Sequence, residues 1–171
     1  MKGYVHVYTG DGKGKTTAAL GLAIRAAGAG LNVYIAQFIK HGESGEIKAL
    51  NRLSDKISIE QFGRGRFIKG RPSEKDLAAA RRGLNQIKKI LKAGKHAVVI
   101  LDEANVAVSL NLFSENELLE FIDRRPDKVE IIITGRAAGP RIIEAADLVT
   151  EMKEIKHYFK SGVKARVGIE K

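Results

Sequence analysis

The chain has 171 residues, enough for one domain with a substantial hydrophobic core, and its composition does not change in a way that would mark a second domain, so a single domain over residues 1–171 is expected. The absence of cysteine excludes disulfide frameworks, thiolate zinc sites and cysteine nucleophiles. The formal net charge of +10 favours anionic partners such as nucleotides, nucleic acids or acidic proteins, although charge alone does not choose among them.

The first element and the turn after it predict a phosphate-binding loop. Residues 4–8 alternate apolar and β-prone side chains, which predicts a strand, and an alanine-rich helix follows and ends near Gly28. Between them lies the turn TGDGKGKTT, which ends in Gly-Lys-Thr like a P-loop, where backbone N–H groups and a lysine hold phosphates and a hydroxyl reaches Mg²⁺. The predicted phosphate-binding residues are Gly10, Asp11, Gly12, Lys13, Gly14, Lys15, Thr16 and Thr17.

This turn departs from the general P-loop at one position. The general pattern has a glycine four residues ahead of its Gly-Lys-Ser/Thr ending, and that position is Thr9 here. A glycine-rich turn that contains lysines by chance is the alternative interpretation. The flanking strand and helix favour phosphate binding, because glycines let the backbone approach an anion and a helix N-terminus offers unpaired N–H groups.

The next third of the chain predicts a parallel sheet. Residues 32–38 form a second apolar strand, and a strand, a helix and a strand in this order imply a right-handed parallel crossover. The polar residues at its end, 37–42, are expected at the sheet edge where ligands bind. A short helix near residues 46–53 and a strand near residues 57–62 follow. The basic, glycine-rich loop of residues 63–72 is either a mobile binding flap or a solvated surface loop.

An acidic strand end is the second functional signal. Ser73 opens a capped helix that ends near Gly94, and residues 97–103 then form a buried strand that ends in Asp102 and Glu103. An apolar strand with an acidic end is typical of the Walker B arrangement, in which a carboxylate approaches Mg²⁺ directly or through water. On its own this pattern is common, but together with the P-loop it predicts a nucleotide site.

The last third of the chain completes the predicted fold. Its elements are a helix at residues 114–125, a strand at residues 130–134, a short helix at residues 140–146 and one or two short strands around a turn at residues 161–162. Arg136 follows the strand at the same edge as the P-loop, so it is a candidate to contact either phosphate or a neighbouring carboxylate. The four histidines show no metal-ligand spacing.

Taken together, these motifs resemble the P-loop corrinoid adenosyltransferases, the cob(I)alamin adenosyltransferases of vitamin B12 synthesis and salvage. The resemblance is carried by residues 9–19, the segment QFIK at residues 37–40, the segment LDE at residues 101–103 and much of the chain after residue 134. Threonine in place of the first P-loop glycine is also a feature of this family. The resemblance implies an α/β fold of three layers with a mostly parallel sheet, the RecA-like P-loop NTPase fold.

The resemblance also implies the reaction. The 5′-deoxyadenosyl group of ATP is transferred to Co(I) of cobalamin or of a precursor corrinoid, which is a substrate, and triphosphate is released. The protein need supply no nucleophile, so its contributions are alignment and electrostatics. The catalytic residues that the resemblance implies are Lys15, Lys13 and Glu103. The Mg²⁺ ligands that it implies are Thr16, Glu103 and Asp102.

Further expectations concern the two substrates and the partners of the protein. Arg25 matches a family arginine near the nucleoside, or it simply covers the first helix. Relatives carry a Gly-Phe-Thr-Trp stretch whose aromatic side chains displace the lower axial ligand of cobalt. This chain has no tryptophan, and Phe67 is the nearest match, with Phe62 as a second candidate. The family further implies a homodimer, and the basic surface would suit an acidic flavoprotein as the reductant.

Two other functions share the same signals. A nucleic-acid-dependent ATPase of recombinase type would also have a P-loop, an acidic strand end and surplus positive charge. A small-molecule kinase is a weaker alternative, because no base or lid arginine can be assigned. A cytoplasmic protein without a membrane partner is expected, since no apolar run approaches the length of a membrane span.

Overall fold

The computed structural model describes residues 2–66, 68 and 70–170. The strands are β1 (Val5–Thr9), β2 (Val33–Gln37), β3 (Ile57–Gln61), β4 (Val98–Asp102), β5 (Glu130–Thr134) and β6 (Leu148–Glu151). The helices are α1 (Lys15–Gly28), α2 (Gly45–Leu50), α3 (Glu74–Ala93), α4 (Ala104–Ser109), α5 (Glu115–Asp123) and α6 (Pro140–Ala145), with 3₁₀ turns at Asn51–Leu53 and Tyr158–Ser161. Within these described ranges, none of the helices combines the length and apolar character needed to cross a membrane.

All six strands form one parallel sheet in the order β3-β2-β4-β5-β1-β6. This confirms the predicted parallel α/β architecture. Strand β5 lies between β1, which leads into the P-loop, and β4, which ends in the acidic pair. The carboxyl ends of all three strands therefore meet at one edge of the sheet, with Thr134 at the end of β5.

Helices cover both faces of the sheet, because the strands are apolar on both sides. One face packs against α1 and α2, through residues such as Leu20 and Leu50 beside Ile100. The other face packs against α3, α4, α5 and α6, and its buried side chains include Leu84 and Leu118. This gives the three layers that the resemblance implies.

A capping box opens each of the helices α3 and α5. The Ser73 hydroxyl accepts the N–H of Asp76 at the start of α3, and Ser114 does the same for Glu117 at the start of α5. Helix α3 ends at Gly94, whose φ of 61° lies in the left-handed region that favours glycine. Such local hydrogen bonds account for the agreement of the predicted and observed starts of both helices.

The tail has the predicted turn and, among the described residues, one of the predicted one or two short strands. It has one strand, β6, which pairs in parallel with β1 instead of with a neighbouring tail segment. The segment from Tyr158 to Ser161 is a 3₁₀ turn, and the Glu170 N–H donates to the Arg166 carbonyl within a further turn. The six-residue helix α4 was not predicted, because it begins directly after β4 without an N-cap side chain.

We expect the substitution Gly83→Ala to destabilise the protein by about 1–3 kcal/mol, because it overpacks the face between α3 and the sheet. A Cβ atom at Gly83 would lie 2.7 Å from Cε1 of Phe38 and 2.8 Å from Cγ of Phe62. The matched control is Gly21→Ala in α1, where a Cβ would meet nothing within 4 Å and where alanine should stabilise the helix by about 0.5–1 kcal/mol. Urea unfolding followed by circular dichroism measures both, and an unchanged free energy of unfolding for Gly83→Ala would contradict the expectation.

Candidate active site

The predicted phosphate-binding loop connects β1 directly to α1, and two of its glycines are required by backbone conformation. Gly10 has a φ of 91° and Gly14, the N-cap of α1, has a φ of 112°. Both values lie in the left-handed region, which L side chains rarely adopt. The loop therefore needs glycine at these positions to turn from the strand into the helix N-terminus.

The start of the tail holds this loop from one side. The Gly12 N–H donates to the carbonyl of Met152 at 2.7 Å, and the Met152 N–H donates to the carbonyl of Thr9 at 2.9 Å. A Cβ atom at Gly10 would lie 2.5 Å from the Met152 carbonyl oxygen, and one at Gly12 would lie 2.7 Å from it. These glycines thus also allow close approach of the segment that follows β6.

Thr9 has a structural role at the position where the general P-loop has glycine. It is the last residue of β1, is only 7% exposed, and its hydroxyl accepts the N–H of Ala138 at 3.2 Å. This bond ties the beginning of the phosphate-binding loop to the loop after β5. Threonine fits here because the chain is still extended strand at this point.

The side chain of Lys15 lies over the phosphate-binding loop. Its ammonium donates to the carbonyls of Gly10 and Gly12, both at 2.6 Å, and the residue is buried. Burial, and secondly the positive charge of Arg136, lower the pKa of the Lys15 ammonium. The first residue of α1 thus places a cation directly over the loop backbone.

Lys13 contacts the tail instead. Its exposed ammonium lies 3.3 Å from the Tyr158 hydroxyl, 3.3 Å from a carboxylate oxygen of Glu170 and 3.5 Å from the carbonyl of Ile169. In this arrangement Lys13 links the phosphate-binding loop to the end of the chain. Its catalytic role stays a prediction.

Asp102 is the centre of the hydrogen-bond network at the sheet edge. Its carboxylate is fully buried, and each oxygen accepts two hydrogen bonds. Oδ1 accepts from the hydroxyls of Thr16 at 2.8 Å and Thr134 at 2.7 Å. Oδ2 accepts from the Gln37 amide at 3.0 Å and the Lys40 ammonium at 2.9 Å. These four donors fill the hydrogen-bonding capacity of a carboxylate.

Of the residues around Asp102, Gln37 and Lys40 belong to the polar segment 37–42 that was expected at this edge, whereas Thr134 was not among the predicted site residues. Their signal in the sequence was position, since each lies at or just after the carboxyl end of a predicted strand. The network continues outward, because the Gln61 amide donates to Gln37 Oε1 at 3.1 Å. Neighbouring strands β3, β2 and β4 thus align their polar ends.

Glu103 follows Asp102 in a left-handed conformation, with a φ of 60°. Its N–H donates to the Thr134 hydroxyl at 3.0 Å. Burial, and secondly the negative charge of Asp102, raise the pKa of the Glu103 carboxyl. The positive charges of Lys40, Lys15 and Arg136 act in the opposite direction. The two predicted acidic residues are therefore both at the edge and repel each other.

The remaining predicted residues fall into two groups. Arg136 is exposed, and its charge acts on the pKa values of Lys15 and Glu103, so it shares their edge of the sheet. Asp11 and Thr17 are exposed on and just after the loop. Arg25 does not join them, since it lies in the last turn of α1, about 15 Å along the helix axis from its first residue.

The aromatic candidates for the corrinoid side have different outcomes. Phe67 lies outside the described residues, so its role stays a prediction. Phe62 is buried and packs against Phe38, with ring centroids 6.0 Å apart. The Phe62 ring thus belongs to the core beneath α3, and its role as the second aromatic candidate stays a prediction.

The basic loop after β3 is attached to α3. Arg66 forms an ion pair with the carboxylate of Asp76, and Arg64 lies 3.7 Å from it. The Arg66 guanidinium also donates to the Ser73 hydroxyl at 3.0 Å. These contacts use two of the loop's basic side chains at the N-terminus of α3, where carboxylates are also stabilised by the helix dipole.

The residues predicted to hold Mg²⁺ fit a hard cation. The Thr16 hydroxyl gives its proton to Asp102, so its lone pairs are left for a cation, and one already accepts a hydrogen bond from the Lys40 ammonium at 3.2 Å. In the described part of the chain, no group of three or more histidine, aspartate or glutamate side chains could bind a metal. Mg²⁺ here would thus depend on phosphate oxygens and water, as is usual for this ion.

Comparison with known proteins identifies relatives over the whole chain. The sequence model described as ATP:corrinoid adenosyltransferase BtuR/CobO/CobP matches residues 1–170. The corrinoid adenosyltransferase of Pseudomonas aeruginosa is 36% identical, and the match covers 99% of this chain and 84% of that protein. The corrinoid adenosyltransferase of Escherichia coli K12 is 37% identical, with 99% and 86% covered.

A solved structure supports the fold. A KaiC-like protein from Pyrococcus horikoshii OT3 superimposes with a TM-score of 0.57, covering 91% of this chain and 74% of that one. The sequence identity is 16%, so this similarity concerns the fold alone. It agrees with the RecA-like architecture implied above.

We expect Glu103→Gln to gain stability relative to the unchanged protein as the pH rises. The pKa of the Glu103 carboxyl is raised in the folded state above its ordinary value of 4.5. The contribution of this carboxyl to stability is therefore complete below its ordinary pKa, and it is lost as the pH rises through the folded-state pKa. Urea unfolding of both proteins from about pH 4 to about pH 8 measures the difference.

Glu117→Gln is the control of opposite sign. The Ser114 N–H, as the largest cause, lowers the pKa of Glu117, so this variant should lose stability relative to the unchanged protein over the same pH range. If the difference for Glu103→Gln were independent of pH, the burial of its carboxyl would not have the expected effect.

Proposed function

Because the chain belongs to the ATP:corrinoid adenosyltransferase family, we propose that the sheet edge around Lys15 and Asp102 is where it binds ATP and transfers its adenosyl group to a reduced corrinoid. The observation that carries the proposal is that the phosphate-binding loop, the Thr16 hydroxyl and the acidic end of β4 meet at one edge. A triphosphate bound there would lie against Lys15 and the N-terminus of α1.

The proposed reaction needs no protein nucleophile. Co(I) attacks C5′ of the ribose with an electron pair, the Co–C bond forms, and the C5′–O bond breaks so that triphosphate leaves with the bonding electrons. Negative charge grows on the leaving group, and Lys15, Arg136 and the loop amides would stabilise it. Holding the cobalt in line with C5′ would further lower the activation barrier, because the two reacting atoms are already oriented for the transfer.

Mg²⁺ is part of the proposal, with Thr16, Asp102 and Glu103 as the residues that hold it. When bound, the ion supplies positive charge to the triphosphate oxygens. Thr16 provides a direct oxygen ligand, while Asp102 orients that hydroxyl by accepting its proton. Glu103 would lie on the other side, as a ligand to the ion or to its water.

The proposed partners follow from the surface of the molecule and its charge. A homodimer is favoured by the unusual exposure of apolar side chains in the tail, where Ile155 is 90% exposed, Val167 87% and Phe159 71%. An acidic flavoprotein would suit the net charge of +10 as a reductant. The cytoplasmic location and the role of Phe67 remain predictions.

The nucleic-acid-dependent ATPase is not favoured. The relatives from Pseudomonas aeruginosa and Escherichia coli, which match 99% of the chain, are corrinoid adenosyltransferases. The P-loop and the acidic strand end that motivated the alternative also carry the resemblance to that family. The KaiC-like structure shows only that the fold is shared.

We expect Lys15→Ala to reduce turnover at least about a hundredfold while the fold is kept, because the buried ammonium over the loop is lost. Turnover is the rate of appearance of the light-sensitive Co–C product, measured in the corrinoid absorption spectrum with ATP, Mg²⁺ and chemically reduced cobalamin. The control is Lys48→Ala, which removes an exposed lysine paired with Glu43 and should leave the rate unchanged.

The released phosphate species tests the proposed function as a whole. Triphosphate should form in equal amount to the Co–C product. Orthophosphate or diphosphate without an organometallic product would contradict it, and near-normal turnover of Lys15→Ala would remove this residue from the mechanism.

The proposed dimer is tested by the mass of the protein in solution, measured by light scattering after size exclusion. We expect twice the mass of one chain, and Ile155→Glu should shift the protein towards the monomer because it places a charge in an apolar contact. Ile24→Glu on the outer face of α1, where Ile24 is 52% exposed, is the matched control and should remain dimeric. A monomeric unchanged protein would contradict the proposal.

A further inference from the structure

The ammonium of Lys40 occupies an unusual position between the two groups proposed to serve Mg²⁺. It donates to Oδ2 of Asp102 at 2.9 Å and to the hydroxyl oxygen of Thr16 at 3.2 Å. The Thr16 proton is directed to Asp102, which leaves two lone pairs on the Thr16 oxygen, and Lys40 already uses one of them. A metal ion on the other lone pair would lie close to the ammonium, so the two cations would repel each other.

Charge balance explains why Lys40 lies there. Asp102 is fully buried, and among the residues that the structure describes its one salt bridge is with Lys40. A buried carboxylate without a nearby cation is strongly disfavoured. The hydroxyls of Thr16 and Thr134 and the amide of Gln37 satisfy its hydrogen bonds but carry no charge.

Lys40 is also able to leave. It follows the end of β2, its side chain is 39% exposed, and the ammonium is on a flexible four-carbon stem. Lys15, in contrast, is buried with two carbonyl contacts of 2.6 Å. Of the two lysines, Lys40 is therefore the one that can move without unpacking the loop.

We infer that Lys40 is an internal counter-ion that holds Thr16 and Asp102 in position before Mg²⁺ binds, and that Mg²⁺ displaces its ammonium towards the triphosphate. Lys40 is thus a positioning residue with two effects. It keeps the nucleotide-free protein from binding free Mg²⁺ tightly, and it adds a positive charge to the phosphates once the nucleotide brings the metal. The inference rests on the proposed metal site.

The test is metal binding, followed with Mn²⁺ as the probe by electron paramagnetic resonance. Without ATP, Lys40→Gln should bind Mn²⁺ about tenfold more tightly than the unchanged protein, because the competing cation is gone. With Mn²⁺ saturating, the same variant should bind ATP about tenfold more weakly. Removal of a side chain that has only a structural role would not raise the affinity of the protein for a metal.

Two variants separate displacement from a general effect of charge. Lys40→Arg keeps a cation on Asp102 and should not gain Mn²⁺ affinity. Arg136→Gln removes a positive charge that also acts on Glu103, but one that does not contact Thr16 or Asp102, so it should gain little. An equal gain in Arg136→Gln and Lys40→Gln would overturn the inference, as would no gain in Lys40→Gln.

Stability provides an independent measurement. Mg²⁺ should raise the melting temperature of nucleotide-free Lys40→Gln more than that of the unchanged protein, since the metal replaces the missing charge beside Asp102. If the Lys40→Gln variant failed to fold and millimolar Mg²⁺ did not restore its folding, the inference would be overturned. If the unchanged protein bound no Mn²⁺ even with ATP, both the proposed metal site and the inference would fail. If it bound Mn²⁺ only with ATP, but Lys40→Gln showed no gain in Mn²⁺ affinity, the inference alone would be overturned.

Discussion

The buried carboxylate of Asp102 is the group around which the sheet edge is arranged, because a charge with no exposure to water needs compensation from the protein. That compensation comes from four segments. Thr16 is in the first turn of α1, Gln37 ends β2, Lys40 follows it, and Thr134 ends β5. Removing the charged partner of a buried ion pair typically costs about 3–5 kcal/mol, and the charged partner of Asp102 is Lys40. The geometry of the sheet edge and the stability of the fold are therefore linked at this residue.

The order of the strands makes this convergence possible. With β5 between β1 and β4, Thr134 lies between the phosphate-binding loop and the acidic pair and bonds to both members of the pair, to Asp102 by its hydroxyl proton and to the Glu103 N–H by its oxygen. On the other side of β1, strand β6 brings Met152 against the glycines of the loop. The loop is thus supported from both neighbours of its strand.

The distribution of charge at the edge suits a leaving group whose negative charge grows. Three cationic side chains, those of Lys15, Lys40 and Arg136, influence the acidic Glu103 through space. Two of them are held by oxygens of the protein, since Lys15 lies on loop carbonyls and Lys40 on Asp102. Cations that the protein's own oxygens already hold in place need little reorganisation when a triphosphate binds. Such preorganisation favours charged transition states.

The sequence by itself determined the local structure and the chemical class of the site. Apolar periodicity located the strands, and capping boxes located two helix starts. The glycines of the loop and the acidic end of β4 predicted the edge of the sheet where the nucleotide is proposed to bind. Each of these signals can be read from the sequence because it depends on neighbours a few residues apart. Only the tertiary structure decided contacts between distant segments, such as Lys13 with Glu170, 157 residues away, or Lys40 with Asp102. It also placed Arg25 at the far end of α1 and Phe62 in the core. Such contacts depend on which strands are neighbours and which face each helix covers, and no local pattern carries that information.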